Sequence, residues 1–478
     1  MTSRARALIT IVALAALAVS GCSQQAPLAE GDASESADYS AAHSVPNTSP
    51  MYPDYGDPHI DVLHYEMDLG YEPEAATLSG TVTLTTRAVE DNDVIHLDFS
   101  DQMTVETITV DDSDSDFTHQ GYDLDINEAV SADQEIKVAV TYSGTPEKMP
   151  APAQRPDMAG GIGATTGPNG ALWTFQEPFG AMTWYPANDV PWDEAFYDFK
   201  VSVPDGYAAV ASGTFVSDDD NTYVWSSSDP VATYLVTLAV DRYTMSETKG
   251  PNGLPITTWT TSGSDMDSVF SETAAVLEWL EERYGPYPFE SAGVVEVGGD
   301  SAMETQQMVT FSSERIFDET QRISTTGVLV HEMAHQWFGD AVTPDDWDGL
   351  WLNEGAATYT EQMWLLENDD TDMTEAQLVA QWEKDDADLR RQFGPPGDPN
   401  PQAFASSNSY VCPALMLYNL RDEIGGAEAV DEFLAAWVAE YHNETVDRET
   451  FIEFANAHTG KDLTQFFNEW LDSPTTPK

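Results

Sequence analysis

The sequence predicts two domains in tandem: an all-β sandwich or saddle over residues 57–245, then a mainly helical α+β domain over 246–478. Three observations predict this. From Asp57 to about Val240, apolar residues alternate in short runs separated by Gly, Pro and Asp clusters, the period of half-buried strands. Past residue 246 the spacing becomes that of amphipathic helices. The 478 residues, 41% apolar and 11% aromatic, suffice for more than one core.

In chain order, Arg4 and Arg6 precede an apolar run from Ala7 to Val19, too short to span a bilayer. It ends in Val19-Ser20-Gly21-Cys22, which resembles the lipobox of bacterial lipoproteins. Residues 1–22 are therefore expected to be a cleaved signal, with Cys22 lipidated and the mature chain exported and held on a membrane. An ordinary secretory signal is the alternative. Residues 23–56, rich in Ser, Ala, Pro and acids, are expected to be a disordered tether. Cys22 and Cys412 cannot make a disulfide framework.

Strands are expected at His59–Tyr65, Leu78–Leu84, Val94–Phe99, Val105–Val110, Ile136–Tyr142, Tyr197–Val203, Tyr223–Trp225 and Tyr234–Val240. The acidic run from Asp111 to Asp116 reads as a solvated hairpin tip. Helices are expected at Met266–Tyr284, Ile323–Phe338, Leu350–Leu366, Glu375–Gln392, Ser409–Ile424, Ala427–Tyr441, Arg448–Thr459 and Leu463–Leu471, with one strand-like piece at Gly293–Val297.

Eighty-three acidic groups against 19 Lys and Arg give a formal charge of −64. Nucleic-acid binding requires a basic footprint and is excluded. The acidic excess reads as a solvated, salt-adapted surface; steering of cationic peptides is the other reading.

The chemistry concentrates in His331-Glu332-Met333-Ala334-His335. Histidines four apart lie on one helical face and can reach one ion, while Glu332 beside the first is placed toward a metal-bound water. Nineteen residues past His335 stands Glu354. Two imidazoles and a carboxylate leave a fourth position open, the catalytic arrangement for one zinc ion. Glu361, seven residues on and on the same face, is placed to orient a ligating imidazole.

His331–Asp340 (HEMAHQWFGD), followed by VTPDDW and LWLNEGAATYTE, resembles the M1 family of zinc aminopeptidases. Ser301-Ala302-Met303-Glu304-Thr305 is similar to that family's Gly-Ala-Met-Glu-Asn strand. Gln176-Glu177-Pro178 and Asn188-Asp189-Val190-Pro191 resemble its Glu-Pro segment, and Tyr284–Phe289 is also typical of it. The resemblance covers roughly residues 57–478 and implies a thermolysin-like catalytic domain. It implies further that Glu177 and Glu304 bind the substrate α-ammonium, that Ala302 and Met303 hold the peptide main chain, and that Tyr410 stabilises the oxyanion. Ser301, Thr305 and the Tyr410-Val411-Cys412-Pro413 sequence depart from the family pattern. The large helical domain of longer members is not expected here, which implies a more open cleft. On this reading the protein removes N-terminal residues from peptides. A zinc endopeptidase, an epoxide hydrolase on the same scaffold and a catalytically silent peptide-binding lipoprotein are the rivals.

Overall fold

In the computed structural model, the alternation beginning at Ile60 builds a nine-stranded sheet. The structure describes residues 39–312, 324–368, 371 and 373–478. The sheet runs Thr214–Asp219, Thr222–Ser226, Glu194–Ser202, Ile60–Glu72, Thr77–Ala88, Glu135–Gly144, Met103–Val110 and Ser113–Asp114, with Val231–Ala232 pairing onto Glu194–Ser202. Neighbours are antiparallel except Ile60–Glu72 and Glu194–Ser202, which run parallel from His64↔Phe196 to Gly70↔Ser202. Along Ile60–Glu72, Tyr65, Met67, Leu69 and Tyr71 are buried with Val82, Leu84, Val138 and Val140, as a period of two requires. The acidic run is a hairpin tip: Asp111 and Asp112 take φ +47° and +63°, and Thr109 pairs with Asp114. Positive φ at both central residues defines a turn whose twist suits a hairpin.

A four-stranded sheet, Ala208–Ala211, Leu238–Asp241, Leu172–Phe175 and Gly163–Thr166, faces the second domain's chemistry. Ile95–Asp98, Asp123–Ile126 and Phe117–Gln120 form a third sheet. The catalytic half begins with a five-stranded sheet in the order Thr244–Lys249, Pro255–Thr260, Ala292–Val297, Val309–Ser312, Ala302–Met303. Its middle strand, parallel to both neighbours, is buried at all six positions and is apolar apart from Glu296, whose carboxylate accepts from Thr261 N and Oγ1. The helices packed around it include Thr273–Tyr284, Thr325–His335, Leu350–Glu367, Glu375–Phe393, Asn408–Ile424 and Ala427–Tyr441.

Several expectations change. The Tyr234–Val240 strand is interrupted by a 3₁₀ turn at Thr233–Leu235, and the strand proper is Leu238–Asp241. Met266–Tyr284 breaks into a single turn, Asp267–Phe270, and the helix Thr273–Tyr284, where Thr273 Oγ1 donates to the Phe270 carbonyl at 2.8 Å. The second domain carries more strand than its helical periodicity suggested, because short buried strands lack a distinctive period. The tether ends earlier than residue 56. From Tyr39 the chain is a packed strap: Tyr39 stacks on His64 at 4.7 Å, Ser49 Oγ donates to Asp346 at 2.5 Å, and Tyr52 Oη donates to the Pro401 carbonyl at 2.9 Å. Residues 1–38, with the signal and Cys22, lie outside the described residues, as does Ile323.

Candidate active site

The metal-ligand helix starts at Ser324, whose hydroxyl accepts from Gly327 N at 3.1 Å, and ends at His335. The chain then kinks through Gln336–Asp340, with Phe338 at φ −118°, ψ 88° and Gly339 at φ +127°. The kink brings the Phe338 carbonyl back within 3.0 Å of His335 Nδ1. With that nitrogen donating, His335 Nε2 is left with its lone pair.

His331 Nε2, His335 Nε2 and Glu354 Oε2 converge. Their separations are 3.2 Å between the imidazoles, 3.2 Å from His331 to Glu354 and 3.4 Å from His335 to Glu354. Three ligand atoms at zinc bond lengths in a tetrahedron stand roughly 3.3–3.4 Å apart, so the residues present fit one zinc ion. Among the described residues this is the group of His, Cys, Asp and Glu close enough to hold a metal. Glu361 Oε2 lies 3.4 Å from His331 Nδ1. Burial pushes the Glu354 carboxyl up, but hydrogen bonds with both histidines outweigh it and hold the group well below the usual carboxylate range. Glu332 is buried beside the triad. Desolvation pushes its carboxyl up to about 7, with the His331 imidazole pulling the other way.

The four-stranded sheet supplies the next group. Trp173 and Phe175 lie two apart on Leu172–Phe175 and therefore share a face, and with Glu177 they line one cleft of about 340 Å³. Gln176 is clamped: its Oε1 accepts from Trp184 Nε1 at 2.9 Å and its amide donates to the Thr233 carbonyl, fixing the backbone at Glu177. Glu177 Oε1 is buried and has no hydrogen-bond partner among the described residues. Burial, then the nearby Glu304 and Glu354, raise its carboxyl well above its ordinary value; burial also raises that of Glu304.

Glu304 follows the edge strand Ala302–Met303, which pairs with Val309–Ser312 through Ala302↔Phe311 and Met303↔Thr310. Gln336 ties this strand to the metal helix. Its amide donates to the Glu304 carbonyl at 2.9 Å, and its Oε1 accepts from Gln307 N and Tyr287 Oη, each at 2.9 Å. The departures in this segment have structural explanations. Thr305 Oγ1 donates to the Met308 carbonyl at 2.5 Å and closes the turn, and Ser301 Oγ donates to Asp157 at 3.1 Å.

Tyr410 lies in the first turn of Asn408–Ile424, its ring 6.1 Å from that of His331 and inclined by 17°. Pro413 sits in the second turn of that helix. Its ring packs on Gly355, where a Cβ would come within 2.5 Å of Pro413 Cβ. Cys412 is a buried free thiol whose pKa burial raises, so it packs as a small apolar side chain. Sequence reasoning missed Arg155 and Asp157, which line the cleft from the β domain. Arg155 Nη1 donates to Tyr410 Oη at 2.5 Å, across 255 positions of sequence, and no periodicity carries that signal.

A two-domain metallopeptidase is the class that this fold and site define. Residues 62–235 match the Peptidase M1 N-terminal domain and residues 267–470 the Peptidase family M1 domain, so the chain belongs to peptidase family M1. Glutamyl aminopeptidase of Mus musculus is 30% identical over 206 residues, 39% of this chain and 22% of that protein. Aminopeptidase A of Gloydius brevicauda is 25% identical over 340 residues, 64% of this chain and 34% of that protein. The matched stretches thus span about a fifth to a third of these relatives. The M1 zinc metallopeptidase of Deinococcus radiodurans superposes with a TM-score of 0.78 at 27% identity, covering 90% of this chain and 98% of that one. A mutant of the same enzyme bound to a Tyr-Ser-Ala substrate gives 0.77 at 25% identity, with the same coverage of both chains.

Proposed function

We propose that the protein is a zinc aminopeptidase that releases the N-terminal residue of peptides. The observation that carries the reading is the pair of buried carboxylates, Glu177 and Glu304, in the same cleft as the metal triad, with Glu177 Oε1 unpaired. Buried carboxylates without a hydrogen-bonded cation are costly; Arg155 in the same cleft is engaged by Asp157 and Tyr410, and a substrate α-ammonium supplies the charge they lack. An endopeptidase has no use for them. The amino-peptidase relatives and the peptide-bound neighbour support the same conclusion.

His331, His335 and Glu354 would hold zinc, which when bound activates water and polarises the scissile carbonyl. Glu332 accepts a proton at its carboxylate and delivers it to the leaving amine, a task suited to a group poised near neutrality. The Tyr410 phenol donates to the developing oxyanion. Glu177 and Glu304 accept from the α-ammonium and so set the register at one residue. The free edge of Ala302–Met303 offers the peptide main chain a strand to pair with.

Cys22 would anchor the exported chain to a membrane through lipid. The support is the sequence of residues 4–22; among the described residues no helix is long and apolar enough to cross a membrane.

The test compares a Leu- or Ala-terminated peptide with its N-acetylated twin on zinc-loaded protein. Cleavage of the free amine alone, abolished by chelation, is expected, with discrimination of at least about 10²-fold because acetylation leaves buried carboxylates unpaired. Equal cleavage of both peptides would make the protein an endopeptidase.

A further inference from the structure

The loop between Glu135–Gly144 and Gly163–Thr166 sends two side chains, Arg155 and Asp157, across to the catalytic domain. Arg155 Nη1 donates to Tyr410 Oη at 2.5 Å, while Nε and Nη2 fork onto the Asp157 carboxylate at 3.2 and 2.5 Å. Asp157 Oδ2 also accepts from Ser301 Oγ at 3.1 Å, and Ser301 opens the segment that leads to Glu304. A single hydrogen-bonded chain thus runs Tyr410–Arg155–Asp157–Ser301, joining a β-domain loop, the edge strand and the helix that bears the phenol. The planar guanidinium makes this junction possible, because it presents several donors in a rigid fork; an ammonium on a flexible stem cannot hold the same set.

We infer that Arg155 is a positioning residue for hydrolysis: it fixes the Tyr410 oxygen and, by filling an acceptor site on that oxygen, keeps the phenol O–H as a donor directed toward the metal triad. The inference rests on the aminopeptidase reading for its catalytic meaning. A phenol has one hydrogen to donate, which here is directed at the Glu354 carboxylate, and without Arg155 the oxygen loses the donor that fills its acceptor site and holds it in place. A misplacement of about 1 Å in such a group costs on the order of 10²-fold in rate. The Asp157 fork aims the guanidinium and carries part of its charge. Sequence separation explains why the Arg155-Pro156-Asp157 triplet passes as an ordinary turn: its partners are set entirely by tertiary contact.

The decisive experiment is a double-mutant cycle on the zinc-loaded full chain: wild type, Arg155→Met, Tyr410→Phe and the double variant. Each is assayed for kcat and KM on a leucine-terminated tripeptide as the free acid and as the C-terminal amide. Crystal structures of wild type and Arg155→Met complete the set. Arg155→Met is expected to lower kcat about 10–100-fold, equally for acid and amide, with KM within about threefold. On the Tyr410→Phe background the same change is expected to cost less than about threefold, since coupled residues are not additive. In the crystal, the Tyr410 oxygen is expected to leave its place. Arg155→Lys is expected to recover part of the loss, and serves if the methionine variant does not fold.

Equal losses in both backgrounds would overturn the inference. So would a rise in KM confined to the free acid, which would make Arg155 a ligand for the substrate carboxylate. An unmoved Tyr410 with unchanged kcat would do the same. Failure of wild type to cleave any peptide would sink the aminopeptidase reading instead, and the two crystal structures would still decide whether Arg155 places the phenol.

Discussion

Two side chains of the metal set are oriented by different means, and the difference predicts which is fragile. His335 Nδ1 meets a main-chain carbonyl, that of Phe338, which no side-chain substitution removes. His331 Nδ1 depends on the Glu361 carboxylate at 3.4 Å. Outer partners of ligating histidines typically contribute 10–100-fold to metal affinity. Glu361→Ala is therefore expected to weaken zinc binding by about that factor, read by competition with a chromophoric chelator, while the helix content stays unchanged. A variant that binds zinc as tightly as wild type would show that Glu361 is merely a partly exposed helix carboxylate. At this scale much was legible. Helical spacing groups His331 with His335 and Glu354 with Glu361, because within one helix the directions are fixed; the meeting of the two pairs rested on the nineteen-residue step between the helices. Glu177 and Glu304 needed family resemblance, since they come from different sheets. Arg155 and Asp157 were not legible, because a loop without period gives no direction to its side chains.

Helix Leu350–Glu367, carrying Glu354, and helix Asn408–Ile424, carrying Tyr410, touch where Gly355 meets Pro413. A Cβ on Gly355 would fall 2.5 Å from Pro413 Cβ and 2.7 Å from Cγ, far inside van der Waals contact, and the proline ring cannot swing away. Gly355→Ala is thus expected to part the helices and to destabilise the fold by about 1–3 kcal/mol, the usual cost of overpacking. It should also lower kcat, because Glu354 is the neighbouring residue and Tyr410 lies one turn from Pro413. Chemical denaturation checks the first and steady-state kinetics the second; a variant as stable and active as wild type would remove this contact from the account of the site. Long periodic helices such as Leu350–Glu367 and Ala427–Tyr441 were legible to within a residue or two. The breaks were not. The kink at Gln336–Asp340 continues an apolar pattern through Trp337 and Phe338, while its freed carbonyls are held by distant or side-chain donors: Gly339 by Thr343 Oγ1 at 2.9 Å and Tyr234 Oη at 3.1 Å, and Phe338 by His335 Nδ1 at 3.0 Å.

For the whole molecule, a charge of −64 describes the surface but conceals acids placed inside. Composition cannot distinguish the two, for the same reason that the strap from Tyr39 to Gly56 read as tether: burial of a polar segment is decided by distant partners. Asp189 is buried between Thr233 Oγ1 and Met182 N, at 2.8 and 3.1 Å, and burial, reinforced by Asp98, pushes its carboxyl up to about 7. Burial likewise pushes Glu194, at the start of a strand of the large sheet, up to about 8. Both values lie above those of the unfolded chain, so the unfolded state gives up these protons first as pH rises. The stability attached to the two protonated carboxyls is fully present below about pH 4 and is lost as pH climbs through about 7 to 8. Ordinary ion-paired carboxylates act in the opposite sense. Comparing wild type with the Asp189→Asn, Glu194→Gln double variant reads this contribution together with its coupling to the neighbouring Asp98 and Glu444. Between about pH 5 and 8 the unfolding free energy of wild type is expected to fall relative to the variant, and above about pH 9 the two curves should run parallel. Zinc loading must be held equal in both. Parallel curves across the entire range would mean that the two carboxyls ionise as freely inside the protein as outside it.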